Sequence, residues 1–334
     1  MVIRLSQMIE DNTSKFRGLD NGRITEKISN IAKGLNFSDE RMTFIEHMIS
    51  LNRLLSSYDP HESTSFRTVD EKAQDPTYFI ATYFDTKDID QALWVYRLVR
   101  LLTRYILLSD KFFETDKVEF ALIAKRVRTR IDEFLLNRTD KDHLNYSLDY
   151  SLTQFWAFWK FEQIIKCRTL AGNTFSYNEI RHFNLFKSSD APIVYSRVLD
   201  AKLPSFTENV SLVLHYNQAL LDLQDDWEDI EEDVQADMPN VFVMAAVQDV
   251  SYNSIKSSTN DRIRNIVLKR SDSSKASIIR LVNEYQSSIR NICIPNNLAF
   301  LKSLSDHYAD TLRGTILSPA LYQYCDRIVG SQEQ

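Results

Sequence analysis

Apolar residues recur at helical spacing through nearly every window of the chain. Spacing of i, i+3, i+4 and i+7 places them on one face of a helix with 3.6 residues per turn. The pattern predicts helices over 23–34, 39–57, 88–108, 117–137, 147–171, 177–186, 205–235, 238–250, 260–269, 274–291 and 296–325. Breaks fall at Tyr58-Asp59-Pro60-His61, Gln74-Asp75-Pro76, Gly172-Asn173, Ala191-Pro192 and the polar run Ser271-Asp272-Ser273-Ser274. None is long enough to mark a clear linker. The expected architecture is all-α: a single large helical bundle over 76–330, with an N-terminal helical segment, 1–75, packed on it.

Two segments are apolar on almost every side. They are DIDQALWVYRLVRLLTRYILL (88–108) and SLVLHYNQALLDL (211–223). Such helices sit inside a bundle, and both run straight into carboxylates. The first meets Asp110, Glu114 and Asp116. The second meets DLQDDWEDIEED (222–233), the densest acidic cluster in the chain.

Composition sharpens the all-α reading. The 334 residues include only six glycines and seven prolines, too few for the frequent tight turns of sheets. They also leave no room for G-x-S-x-G elbows, P-loops or Gly-rich dinucleotide loops. A formal net charge of −6 gives no global attraction for nucleic acid. The three cysteines, Cys167, Cys293 and Cys325, form neither a disulfide framework nor a zinc spacing. The N-terminus MVIRLSQMIEDN lacks the apolar core of a signal peptide. The most apolar stretch carries Arg97, Arg100 and Arg104, so no integral membrane segment is expected. A cytoplasmic protein is the expectation.

In the acidic cluster, Asp225, Asp229 and Asp233 are spaced i, i+4, i+8, with Asp222 and Asp226 beside them. On a helix these five share about a third of the circumference, in a stripe about 16 Å long. The stripe opposes the helix. Like charges at i, i+4 cost roughly 0.2–0.5 kcal/mol per pair, and the C-terminal dipole disfavours anions. No Lys or Arg lies between Lys202 and Lys256, so the compensating cation comes from elsewhere in the fold or from solution. Hard divalent ions prefer oxygen ligands, and magnesium is typically held by one or two carboxylates plus substrate phosphate. The plainer reading is a solvated acidic face, with Leu220, Leu223, Trp227, Ile230 and Val234 forming the buried stripe.

At these residues the chain resembles the class I isoprenoid synthase family. LQDDWED (223–229) is similar to the second aspartate-rich motif of trans-prenyl diphosphate synthases. Asp225, Asp229 and Asp233 also fit the every-fourth-residue metal triad of terpene cyclases, and LQDDWEDIEED resembles the second motif of squalene and phytoene synthases. SDKFFETD (109–116) resembles a first motif, with Lys111 standing where a second Asp belongs. The resemblance implies magnesium held by Asp110, Glu114, Asp225, Asp226, Asp229 and Asp233, with Asp110, Asp225 and Asp229 central to catalysis. It implies diphosphate contacts from Arg168, Arg181, Arg197 and Arg313. His307-Tyr308 stands where cyclases often carry Arg-Tyr, and the basic pair that follows the first motif in chain-elongating enzymes is missing.

The implied substrate is a prenyl diphosphate, ionised and then cyclised or deprotonated; a second copy of the chain is a candidate partner. Aromatics that such a pocket would use include Phe112, Phe113, Phe155, Trp156, Phe158, Trp159 and Phe161, although core packing explains residues of this kind equally. The alternatives are a prenyl transferase, a head-to-head condensing enzyme, and a non-enzymatic helical scaffold whose acidic face binds a basic partner. A di-iron bundle would require two Glu-x-x-His pairs, and only Glu179-Ile180-Arg181-His182 is present.

Overall fold

The computed structural model describes residues 21–34, 41–58, 76–136, 141–189, 208–258, 260–269 and 271–317. Every regular element among them is helical. In chain order these are α1 Asn21–Gly34, α2 Arg41–Tyr58, α3 Thr77–Thr86, α4 Ile89–Thr115, α5 Val118–Leu136, α6 Lys141–Leu170 and α7 Tyr177–Lys187. They continue with α8 Glu208–Glu228, α9 Ile230–Ala236, α10 Val241–Ala246, α11 Tyr252–Lys256, α12 Asn260–Lys269, α13 Asp272–Cys293 and α14 Ala299–Leu317. No helix among the described residues is long and apolar enough to cross a membrane.

The chain divides into two compact units, and the division falls inside α6, between Ser147 and Leu148. The expected boundary near residue 75 lies outside the described residues. The first unit holds α1–α5. Its centre is α4, packed by α1, α3 and α5. The short helix α3 was not expected from periodicity, because it is apolar all round and its residues Thr77–Tyr83 are buried. Asp88 starts α4 by accepting from the Asp90 and Gln91 amides at 3.0 and 3.1 Å. That helix runs seven residues past its expected end at 108, so Asp110 and Glu114 lie within its last turns. Arg100 and Arg104 are buried, with the Arg100 guanidinium 5.9 Å from the Tyr96 ring centroid.

In the second unit α8 packs against α7, α13 and α14, and the fully buried α10 packs against α7 and α13. The aromatic run of α6 is spent on this core. Phe158 and Phe161 pack on Phe183 and Phe186 of α7 at ring distances of 5.4 to 6.2 Å, while Trp156 is exposed. Local signals set the ends. Ser176 and Glu179 close a reciprocal capping box on α7. Glu179 is thereby a helix cap rather than one half of a metal-binding pair.

Gly172 ends α6 in the left-handed region at φ 74. Its amide donates to the Thr169 carbonyl and the Asn173 amide to the Arg168 carbonyl, both at 3.0 Å, which is the Schellman arrangement. A Cβ on Gly172 would meet nothing within 4 Å, so the backbone alone sets the cost of replacing it. Gly172→Ala is expected to destabilise the protein by about 1 kcal/mol, measured as a lowered urea midpoint with an unchanged m-value.

Candidate functional site

The acidic stripe is not one unbroken helix. Residues expected as 205–235 form α8 and α9, with a bend at Asp229 (φ −96, ψ 6). Asn240 explains the bend. It caps α10, accepting from the Phe242 amide at 3.0 Å. Its Nδ2 donates at 2.6 Å to the Asp226 carbonyl, the acceptor a continuous helix would offer to Ile230. A side chain that enters the ladder in this way kinks a helix.

Asp226 is the anchor of the turn. It is 1% exposed, and all three of its oxygens have partners within the unit. Oδ1 accepts from Lys187 Nζ at 2.6 Å, Oδ2 from the Val241 amide at 2.8 Å, and the backbone carbonyl from Asn240. The same Asn240 amide reaches Asp233 Oδ2 at 2.8 Å. Arg264 staples the outer side of the bend, donating to the Glu228 carbonyl at 2.7 Å and pairing with Glu231 at 2.8 Å. Its guanidinium lies 5.5 Å from the ring of buried Trp227.

Lys187 is the compensating cation that the sequence leaves unnamed. It ends α7, whose side chains pair with α8 in one direction: Asn184 with the Ala219 carbonyl, then Lys187 with Asp226. The two helices therefore run roughly parallel and bring both C-terminal dipoles to the acidic turn. A lysine in the last turn of α7 answers the dipole as well as the carboxylates. Asp222, Asp226 and Asp233 all favour its charged form, against the penalty of burial.

Burial pushes the Asp222 carboxyl up to about 6, with Asp226 adding repulsion, while Lys187, Ser188 and Gln218 counter it. Burial pushes Asp233 up to about 7, and Asp226 and Asp229 raise it further. Asp225, Glu228 and Glu232 are exposed, and Asp229 is half-buried. The stripe is thus neither a solvated face nor an interior cluster. Its middle is inside and its rim is out.

The other expected site residues are placed as follows. Asp110, half-buried, and Glu114 lie on α4 in the first unit, whereas Asp225, Asp226, Asp229 and Asp233 belong to the second. Arg197 lies outside the described residues. Arg168 pairs with Glu179 at 2.8 Å and stacks 4.7 Å from the Phe175 ring centroid. Arg181 forms a close ion pair with Glu284, which also accepts from the Tyr177 hydroxyl at 2.8 Å. Arg313 donates to Asn283 at 2.8 Å, to Asp310 at 3.1 Å, and to Gln286. Arg181 precedes Lys187 by six residues, about 9 Å along α7, so the cation facing the stripe is Lys187 and not an expected arginine.

Among the described residues no group of three or more His, Cys, Asp or Glu side chains is placed to hold a metal ion. Magnesium does not require such a cage, because one or two carboxylates plus substrate phosphate suffice. Asp225 and Asp229, one turn apart on the rim, fit that smaller role, whereas both carboxylate oxygens of Asp226 are already taken. A cavity of about 460 Å³ in the first unit is lined by Ser29, Tyr83, Phe84, Lys87 and Ile89, none of them an expected site residue.

Compared with known proteins, the chain matches no protein-family model, no curated protein and no solved structure.

The raised carboxyls give a pH dependence whose sign is fixed. Unfolded, Asp222 and Asp233 titrate near 3.8; folded, they hold protons to about 6 and 7. Their contribution to stability is full below the unfolded value and is lost as pH rises through the folded ones. Asp237, Asp249 and Asp306 are held below the usual range, so they lose stability only at lower pH. In metal-free buffer the urea midpoint is expected to be higher at about pH 5.5 than at about pH 8. Asp233→Asn is expected to flatten that difference.

Proposed function

We propose that the chain is a magnesium-dependent class I terpene synthase that ionises a prenyl diphosphate and releases diphosphate after cyclisation or proton loss. The observation that carries this reading is the half-internal acidic turn at the end of the buried helix α8. Asp226 is locked inside, and the DDxxD pattern leaves Asp225 and Asp229 one turn apart on the rim. An ordinary solvated face has no reason to place its central carboxylate at 1% exposure.

Asp225 and Asp229 would hold magnesium, which when bound neutralises diphosphate charge as a Lewis acid. The chain's own groups do the rest. Asp226, Asn240 and Lys187 set the bend and so the direction of the rim. Arg168 and Arg181 have Glu179 and Glu284 as partners, and a diphosphate would compete with those carboxylates for bidentate contacts. Asp110 and Glu114 remain the candidates for a first motif. A prenyl transferase or a head-to-head condensing enzyme would use the same ionisation, and the product separates them from a cyclase.

A specific observation favours a second reading, a non-enzymatic helical scaffold. Acids of the turn are already paired inside the unit: Asp226 with Lys187, Glu231 with Arg264, and Asp237 with Lys256. Geranyl, farnesyl and geranylgeranyl diphosphates supplied with and without magnesium decide between the two. The enzyme reading expects magnesium-dependent diphosphate release with hydrocarbon products. Asp225→Asn is expected to lower kcat by about 10²-fold or more, as loss of a charge-stabilising group does. No turnover, together with no magnesium-dependent binding of a diphosphate analogue, would establish the scaffold.

A further inference from the structure

The cation buried in the acidic turn belongs to the protein. Lys187 is held at the end of α7 by a capped helix whose Phe183 is fully buried, so its ammonium cannot leave. It is 25% exposed and sits 2.6 Å from a carboxylate that is 1% exposed. Asp222 and Asp233 also act on it. The neighbouring cations are committed elsewhere: Arg264 to Glu231, Lys256 to Asp237 and Arg168 to Glu179. An ammonium and a small divalent ion seek the same partners, hard anionic oxygens, but the ammonium brings one charge on three N–H donors and is tethered.

We propose that Lys187 is the resident cation of this turn: its ammonium fills the place among Asp222, Asp226 and Asp233 that a divalent ion would otherwise take. Only the rim carboxylates Asp225 and Asp229 are then left for an exchangeable metal. Lys187 is accordingly a positioning residue. It draws Asp226 inward, where Val241 and Asn240 complete the lock, and the bend at Asp229 follows. The assignment of the rim to an exchangeable metal rests on the function proposed above; the role of Lys187 does not.

The test counts Mn²⁺ ions bound by the full chain, by calorimetry and water-proton relaxation, with no diphosphate present. Lys187→Met is expected to bind one more Mn²⁺ per chain than the wild type, and Lys187→Arg no more than the wild type. The added ion is expected to disappear in Lys187→Met/Asp226→Asn. If Lys187→Met is unfolded in metal-free buffer, added Mn²⁺ is expected to restore its helical circular dichroism, because the ion supplies the missing charge. A folded Lys187→Met with an unchanged Mn²⁺ count, or an unfolded one that Mn²⁺ does not rescue, overturns the proposal. Since no step depends on turnover, an inactive wild type beside a Lys187→Met that gains one ion would sink the enzyme reading and leave this one standing.

Discussion

The ion pair between Lys187 and Asp226 is the constraint around which the second unit is arranged. A carboxylate at 1% exposure is costly unless every lone pair has a partner. Lys187, Val241 and Asn240 provide those partners from two different helices, α7 and α10. Continuum reasoning makes such a buried pair nearly neutral against an apolar isostere, but removing one partner costs about 3–5 kcal/mol. The pair therefore adds little net stability while selecting one arrangement of α7, α8 and α10 over others. Parallel packing of α7 on α8 is the geometry that brings the ammonium to the carboxylate.

The bend at Asp229 follows from the same network. Once Asn240 takes the Asp226 carbonyl, α8 cannot continue unchanged, and α9 leaves at a new angle. Repulsion between acids spaced four apart works in the same direction. The consequence for chemistry is a division of labour within one acidic run. Inner carboxylates are structural and hold protons more tightly than usual, while outer ones keep access to solvent. That division gives the proposed metal-binding rim its direction without requiring a cage of three protein ligands.

The arginines behave differently from what the family resemblance implies. Arg168, Arg181 and Arg313 each sit in an ion pair or a hydrogen-bond network with side chains of their own unit. In the protein without a ligand they tie α6 to α7, α7 to α13, and α14 to α13. An anionic substrate would have to displace Glu179 or Glu284 to engage the first two. The aromatic residues of α6 follow the same logic, since Phe158 and Phe161 join α6 to α7 as core.

Periodicity by itself determined the helical class and most of the elements, because a 3.6-residue repeat of apolar side chains is a local property. Helix α12 was expected over its observed span, 260–269, and α7 to within one residue of its end. Two helices escaped it. The helix α3 is apolar on all sides, and α11, at five residues, is too short to show a period. The acidic run was legible too, including its need for a cation from outside 203–255. Which cation arrives, and which carboxylates turn inward, was not. Lys187 and Asp226 are 39 residues apart, and only the packing of α7 beside α8 brings them into contact. Asn240 was readable as an N-cap from its place after Pro239, but not as the group that takes a carbonyl from another helix. Charge pattern is written along the chain, whereas desolvation and pairing depend on neighbours that only the tertiary structure supplies.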